Sequence, residues 1–172
     1  MTRVGVRPRF SAVVLAAFLA LGLSSGCGYR TDQLFRADVK SVYVDMFESK
    51  EFRRDMEFML TEAVKKKITT DSPYRLAARD KADTILRGEI LEVRQAAFAP
   101  DELSRLPRDK EMTLAIRLEW KDLRSGAMLV NQPVLLQSLD YLPPGGESEA
   151  FAQDKVIEKM AARVVSKLYA DW

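Results

Sequence analysis

Histidine is absent from this chain, and cysteine occurs once, at Cys27. Without histidine there is no side chain whose ordinary pKa lies near neutrality, and the commonest neutral metal ligand is missing. Serine–histidine and cysteine–histidine nucleophile pairs and zinc-type spacings cannot be written. No glycine-rich phosphate loop replaces them, because Gly145-Gly146 lacks the lysine and helix context of one. One cysteine forms no internal disulfide, so the fold must rest on its hydrophobic core. Long apolar runs are also scarce: Phe10 to Leu23 spans 14 residues, against about 20 for a spanning helix, and no second run of that length follows. A polytopic membrane protein is excluded. Paired carboxylates remain at Asp101 and Glu102 and at Glu147 and Glu149, where solvated loop charge competes with acid–base work.

What is present begins with Arg3, Arg7 and Arg9 ahead of that run and Ser24-Ser25-Gly26 after it, the three-part plan of a secretory signal peptide. A small-residue stretch ending in Gly26-Cys27 resembles the lipobox of bacterial lipoproteins, in which the cysteine becomes the first mature residue. On that resemblance Cys27 carries a thioether-linked diacylglycerol and an N-acyl chain such as palmitate; ordinary cleavage near Ser25 is the alternative. Two or more chains anchor stably where one does not. Gly28 stands where an aspartate would favour inner-membrane retention, so the resemblance implies the outer membrane, facing the periplasm. Three of the 27 basic residues and none of the 25 acidic ones precede Cys27, leaving the mature chain at a net charge of −1. A nucleic-acid surface needs a basic footprint, and none is left.

Along the mature chain, Gly28 to Val39 reads as a polar tether. Ser41 to Phe47 alternates with Val42, Val44 and Met46 on one face, a first strand. From Glu51 to Thr69, Met56, Met59, Leu60, Ala63, Val64 and Ile68 recur at helical spacing, with Ser49 as the expected N-cap. Lys65-Lys66-Lys67 reads either as a solvated helix end or as a phosphate or headgroup patch. Tyr74 to Leu76 suggests a short edge strand, and Ala82 to Val93 a longer one whose phase shifts at Leu91 and Val93, as at a bulge or a twist.

Residues 96–110 form a long charged loop with Pro100 and Pro107. Glu111 to Lys121 then alternates cleanly, with Met112, Leu114, Ile116, Leu118 and Trp120 facing the core, each contributing roughly 1.5–3 kcal/mol before entropy is subtracted. Met128 to Leu142 is a further strand, with Pro133 marking an irregularity or an edge. After Pro143-Pro144-Gly145-Gly146, a second amphipathic helix carries Ile157, Met160, Ala161, Val164, Val165 and Leu168. The expected architecture is α+β, a two-layer sandwich of order β-α-β-β-β-α with an about four-stranded, mainly antiparallel sheet and two helices on one face. Its domains are a signal peptide over 1–26, a lipidated start and tether over 27–40 and one domain over 41–172.

Several local patterns resemble the lipopolysaccharide-assembly lipoprotein family, LptE. They are Cys27-Gly28-Tyr29, Phe47-Glu48, a helix with Glu57, Leu60, Thr61 and Ala63, Ala82-Asp83 before Leu86 and Gly88-Glu89-Ile90, Trp120 to Gly126, and Tyr141-Leu142-Pro143 before Gly146-Glu147. The resemblance implies a non-enzymatic plug that sits inside the outer-membrane barrel LptD, helps it assemble and assists lipopolysaccharide transport, with no cofactor or metal beyond the lipid on Cys27. A wet, polar lumen would meet Arg87, Glu89, Arg117, Glu119 and Lys121 on the open sheet face. The family's basic residues proposed to contact lipopolysaccharide phosphates lie in two loops; here the first offers Arg105, Arg108 and Lys110, while the second, Leu142 to Ala150, has no basic residue.

Two other classes compete. One is a lipoprotein that activates a cell-wall synthase, for which a tether of roughly 45 Å extended is short. The other is a lipid-modified enzyme using the paired carboxylates.

Overall fold

The computed structural model describes residues 34–49, 55–97, 110–143 and 146–169. Its elements run β1 (Ser41–Val44), β2 (Glu48–Ser49), α1 (Met56–Asp71), β3 (Arg75–Leu76), β4 (Thr84–Ala97), β5 (Lys110–Asp122), β6 (Met128–Tyr141) and α2 (Glu149–Ser166). They form one open, mixed sheet of six strands in the order β3-β1-β4-β5-β6, with β2 beside β4. The β4, β5 and β6 strands make an antiparallel meander, whereas β1 is parallel to β3 and β4, and β2 is parallel to β4.

The expectation of about four mainly antiparallel strands is therefore corrected. A helix lies between β1 and β4, and a helical crossover returns the chain to the same edge of the sheet running in the same direction. Of the two additional strands, β3 lies at the sheet edge where Tyr74 to Leu76 suggested a short edge strand, and β2, at two residues, is too short to show a period.

One face of the sheet is core. Met112, Leu114, Ile116, Leu118 and Trp120 are fully buried in one cluster with Leu60, Val64 and Ile68 of α1 and Val156, Met160 and Val164 of α2. The alternation of β5 dictates this arrangement, because period-2 patterning sends every second side chain to the helices. The phase shift expected between Ile90 and Val93 is a bulge: Ile90 lies opposite Ile116 and Glu92 opposite Ala115, leaving Leu91 as the extra residue. Pro133 sits at a second register shift on the edge strand β6, which accommodates its missing N–H.

Two local expectations fail. Met46 is 56% exposed, and Phe47 takes its place in the core, because regular pairing of β1 ends at Val44. Phe47 N–H then donates to Thr61 Oγ1 at 3.0 Å, which itself donates to the Glu57 carbonyl at 2.6 Å. Ser49 lies in β2; the α1 N-cap is Asp55, at φ 80° with no side-chain cap bond, a conformation aspartate tolerates. By contrast Ser148 caps α2, accepting from Phe151 N–H.

The N-terminal stretch is fastened at the end of the sheet where β1 begins. Phe35 bridges to Tyr169, with ring centroids 4.9 Å apart, and stacks edge-on against Tyr74 at 5.5 Å. Asp83, just before β4, accepts from the backbone N–H groups of Lys40 and Ser41 and from Ser41 Oγ at 2.9–3.1 Å. The Ser41 hydroxyl, then the backbone amides and Arg124, hold the Asp83 carboxyl below the ordinary range; the Arg124 and Ser125 amides do the same for Asp122. A depressed carboxyl contributes stability above its unfolded pKa of about 3.9 and loses that contribution as pH falls through the folded value. An Asp83→Ala chain should thus show a smaller drop in thermal midpoint between about pH 6 and pH 3 than the parent. An equal drop would show that these bonds do not favour the ionised form.

Candidate functional site

The helices leave the second face of the sheet open, and the antiparallel register of β4 and β5 sets charges opposite one another there. Glu89 faces Arg117, and Arg87 faces Glu119. Arg117 Nη1 lies 2.6 Å from Glu89 Oε2, and Arg87 Nε lies 3.4 Å from Asp45 Oδ2. Together with Met46, Glu48 and Gly88 these residues line a cleft of about 180 Å³. It carries four carboxylates and two guanidiniums, so the cleft is net acidic while its strongest contacts are internal. The Arg117–Glu89 pair is a charge-assisted hydrogen bond, which orients those two side chains against each other.

Four of the five face residues named from sequence meet in this cleft. Lys121 does not line it; it is exposed farther along β5, opposite Ile85. Asp45 and Glu48 were missed by sequence reasoning. They follow β1, and only the parallel pairing of Glu48 with Glu89 brings them beside β4. Lys110 opens β5, half-buried, opposite Ala97 and Tyr141. Arg105, Arg108, Cys27 and the paired carboxylates Asp101 and Glu102 lie outside the described residues. Of the other pair, Glu147 accepts from Leu142 N–H at 2.6 Å, and Glu149 opens α2. The lysine run lies within α1 ahead of its last turn, where Lys65 pairs with Glu62 at 2.9 Å and Lys67 with Asp71 at 2.8 Å. Among the described residues no group of three metal-ligating side chains converges, and no helix is long and apolar enough to cross a membrane.

The family model described as LptE, lipopolysaccharide-assembly, matches residues 39–172. This chain belongs to the LptE family. That family comprises non-enzymatic lipoproteins of the cell envelope. No curated protein matches the chain. Among solved structures, a hypothetical protein from Chlamydia trachomatis, CT253, is 10% identical with a TM-score of 0.56, over 75% of this chain and 95% of that one. The PelC dodecamer from Paraburkholderia phytofirmans is 18% identical with a TM-score of 0.53, over 79% and 93%. Protein XCC0632 from Xanthomonas campestris is 10% identical with a TM-score of 0.54, over 77% and 87%. At these identities the LptE domain shares their fold.

Proposed function

We propose that this LptE-family chain is an outer-membrane lipoprotein, anchored through Cys27, whose domain seats in the lumen of an LptD-like barrel and assists delivery of lipopolysaccharide to the outer leaflet. Residues 1–26 are the signal peptide, 27–40 the lipidated start and tether, and 41–172 the working domain. The observation that carries the reading is the open sheet face: mixed charges, internally paired around Arg117 and Glu89, on a side that neither α1 nor α2 covers. Barrel lumens are polar and wet, and a rigid mixed-charge face suits such a surface better than an apolar one. Arg105, Arg108 and Lys110 remain the candidate contacts to lipopolysaccharide phosphates. Lys110 stands at the end of the sheet opposite the fastened N-terminal stretch, so delivery and anchoring occupy different ends of the domain.

A charge swap tests the face. The double variant Glu89→Arg, Arg117→Glu keeps an ion pair within the domain and should keep its thermal midpoint, while recovery of the barrel on detergent extraction and affinity purification falls several-fold. Undiminished recovery would leave the charges as simple solvation and count against the plug. Recovery of no barrel with the parent chain, together with stimulation of a purified cell-wall synthase, would favour the synthase-activator reading.

A further inference from the structure

We propose that the end of the domain from which the tether leaves is a docking face for an anionic lipid surface. The inference rests on the lipidation of Cys27 for its geometry, and on charge and exposure for its chemistry.

Chain length comes first. Eight residues run from Cys27 to Leu34, so Phe35 lies at most about 28 Å from the anchored cysteine. Phe35 is held to Tyr169 and Tyr74, so those two rings lie no more than a ring spacing beyond that limit.

Charge comes second. Arg36, Lys40 and Arg75 line one cleft with Asp83, and Arg75 N–H donates to the Lys40 carbonyl at 3.0 Å. Arg124 joins them, donating to the Asp38 carbonyl at 3.0 Å and lying 3.7 Å from Asp83. Arg79 and Lys81 are exposed in the turn that precedes Asp83. Four carboxylates lie nearby, so these six cations are in excess by two. Asp38 pairs with Arg36, and Asp83 and Asp122 both lie within 3.8 Å of Arg124, which leaves Lys40, Arg75, Arg79 and Lys81 facing Asp80 alone. Basic residues at a membrane surface each contribute about fivefold in binding to anionic lipid.

Exposed apolar groups are the third observation. Leu34, Leu123 and Tyr169 are 38–39% exposed around the same end, and side chains of this kind enter the headgroup boundary. The opposite end has the reverse charge among the described residues: Glu92, Glu111, Asp140, Glu147 and Glu149 outnumber Arg94 and Lys110. With β5 at 13 residues, the two ends are roughly 40 Å apart, several screening lengths at physiological salt. One end is attracted to an anionic surface and the other repelled, so before it is seated in a barrel the domain stands on its basic end with the β4–β5 connection pointing away from that surface.

The experiment reconstitutes the mature lipidated chain into vesicles of phosphatidylcholine with or without phosphatidylglycerol. A fluorophore is placed through Asp80→Cys, or through Glu111→Cys as the far-end control, and read against a headgroup-attached quencher. The Asp80 position should be quenched only in anionic vesicles, reversibly with added salt, and the Glu111 position in neither. Reversing Arg75, Arg79 and Lys81 to glutamate should abolish the quenching while flotation with neutral vesicles persists. Equal quenching at Asp80 in both vesicle types overturns the docking face. Failure of the parent to float with neutral vesicles overturns lipidation instead. Docking must then appear as salt-sensitive flotation with anionic vesicles, weakened by more than about a hundredfold by the triple reversal, and its absence overturns the proposal.

Discussion

Replacing Trp120 by alanine is expected to remove about 3–5 kcal/mol of folding stability, a large part of the 5–15 kcal/mol that single domains possess. Trp120 is fully buried at the end of the β5 alternation, and its ring lies 5.8 Å from that of Tyr74. Truncation therefore opens a cavity beneath the residues that fasten the N-terminal stretch. One term acts the other way. The indole Nε1 is buried with no hydrogen-bond partner among the described residues, and an unsatisfied buried donor costs about 1–3 kcal/mol, which alanine relieves. The loss should thus sit toward the lower end of its range, and Trp120→Phe, which removes the donor while keeping most of the volume, should cost clearly less. Chemical denaturation of the two variants measures both. An alanine variant within about 1 kcal/mol of the parent would mean that the site collapses freely.

The second large effect is at Gly88. A Cβ built on this residue would overlap the Phe47 ring, which is 1% exposed. Phe47 cannot simply swing aside, because its ring is packed in the core and its backbone is held by the N–H bond to Thr61 Oγ1 at 3.0 Å. Gly88→Ala should therefore destabilise by about 1–3 kcal/mol through overpacking, and Gly88→Val by more. A smaller residue at position 47 should absorb part of the penalty. In a double-mutant cycle Gly88→Ala with Phe47→Leu should show coupling of about 1 kcal/mol or more, while additive losses would contradict the steric account. The same glycine lets the backbone of β4 form one wall of the charged cleft, so a misplaced Phe47 would disturb Asp45 and Glu48 as well.

Sequence alone conveyed the long elements and little of how they join. The face assignments of β5 and the stripe of α2 follow from period, and every expected core position in Ile157 to Leu168 is buried. Leu91 was legible as a bulge because Ile90 and Val93 both demand the core side. Met46 and Phe47 were not, since one residue of irregular backbone after Val44 exchanges inside for outside. The parallel order was present as a helix between two strands, and β3 was legible as a short edge strand, but the two-residue strand β2 gave no periodic signal. The same distinction governs the site. Arg87, Glu89, Arg117 and Glu119 could be placed on one face by alternation, whereas Asp45 and Glu48 depend on a non-local pairing that no local pattern encodes.

The fastening of the N-terminal stretch also decides how the domain bears load. The segment ahead of β1 is pinned twice, by the Phe35–Tyr169 bridge and by the bonds from Lys40 and Ser41 to Asp83, before β1 is hydrogen-bonded on both sides, to β3 and to β4. A pull on the residues ahead of Phe35 therefore reaches the aromatic clasp first, the Asp83 bonds second and the sheet last.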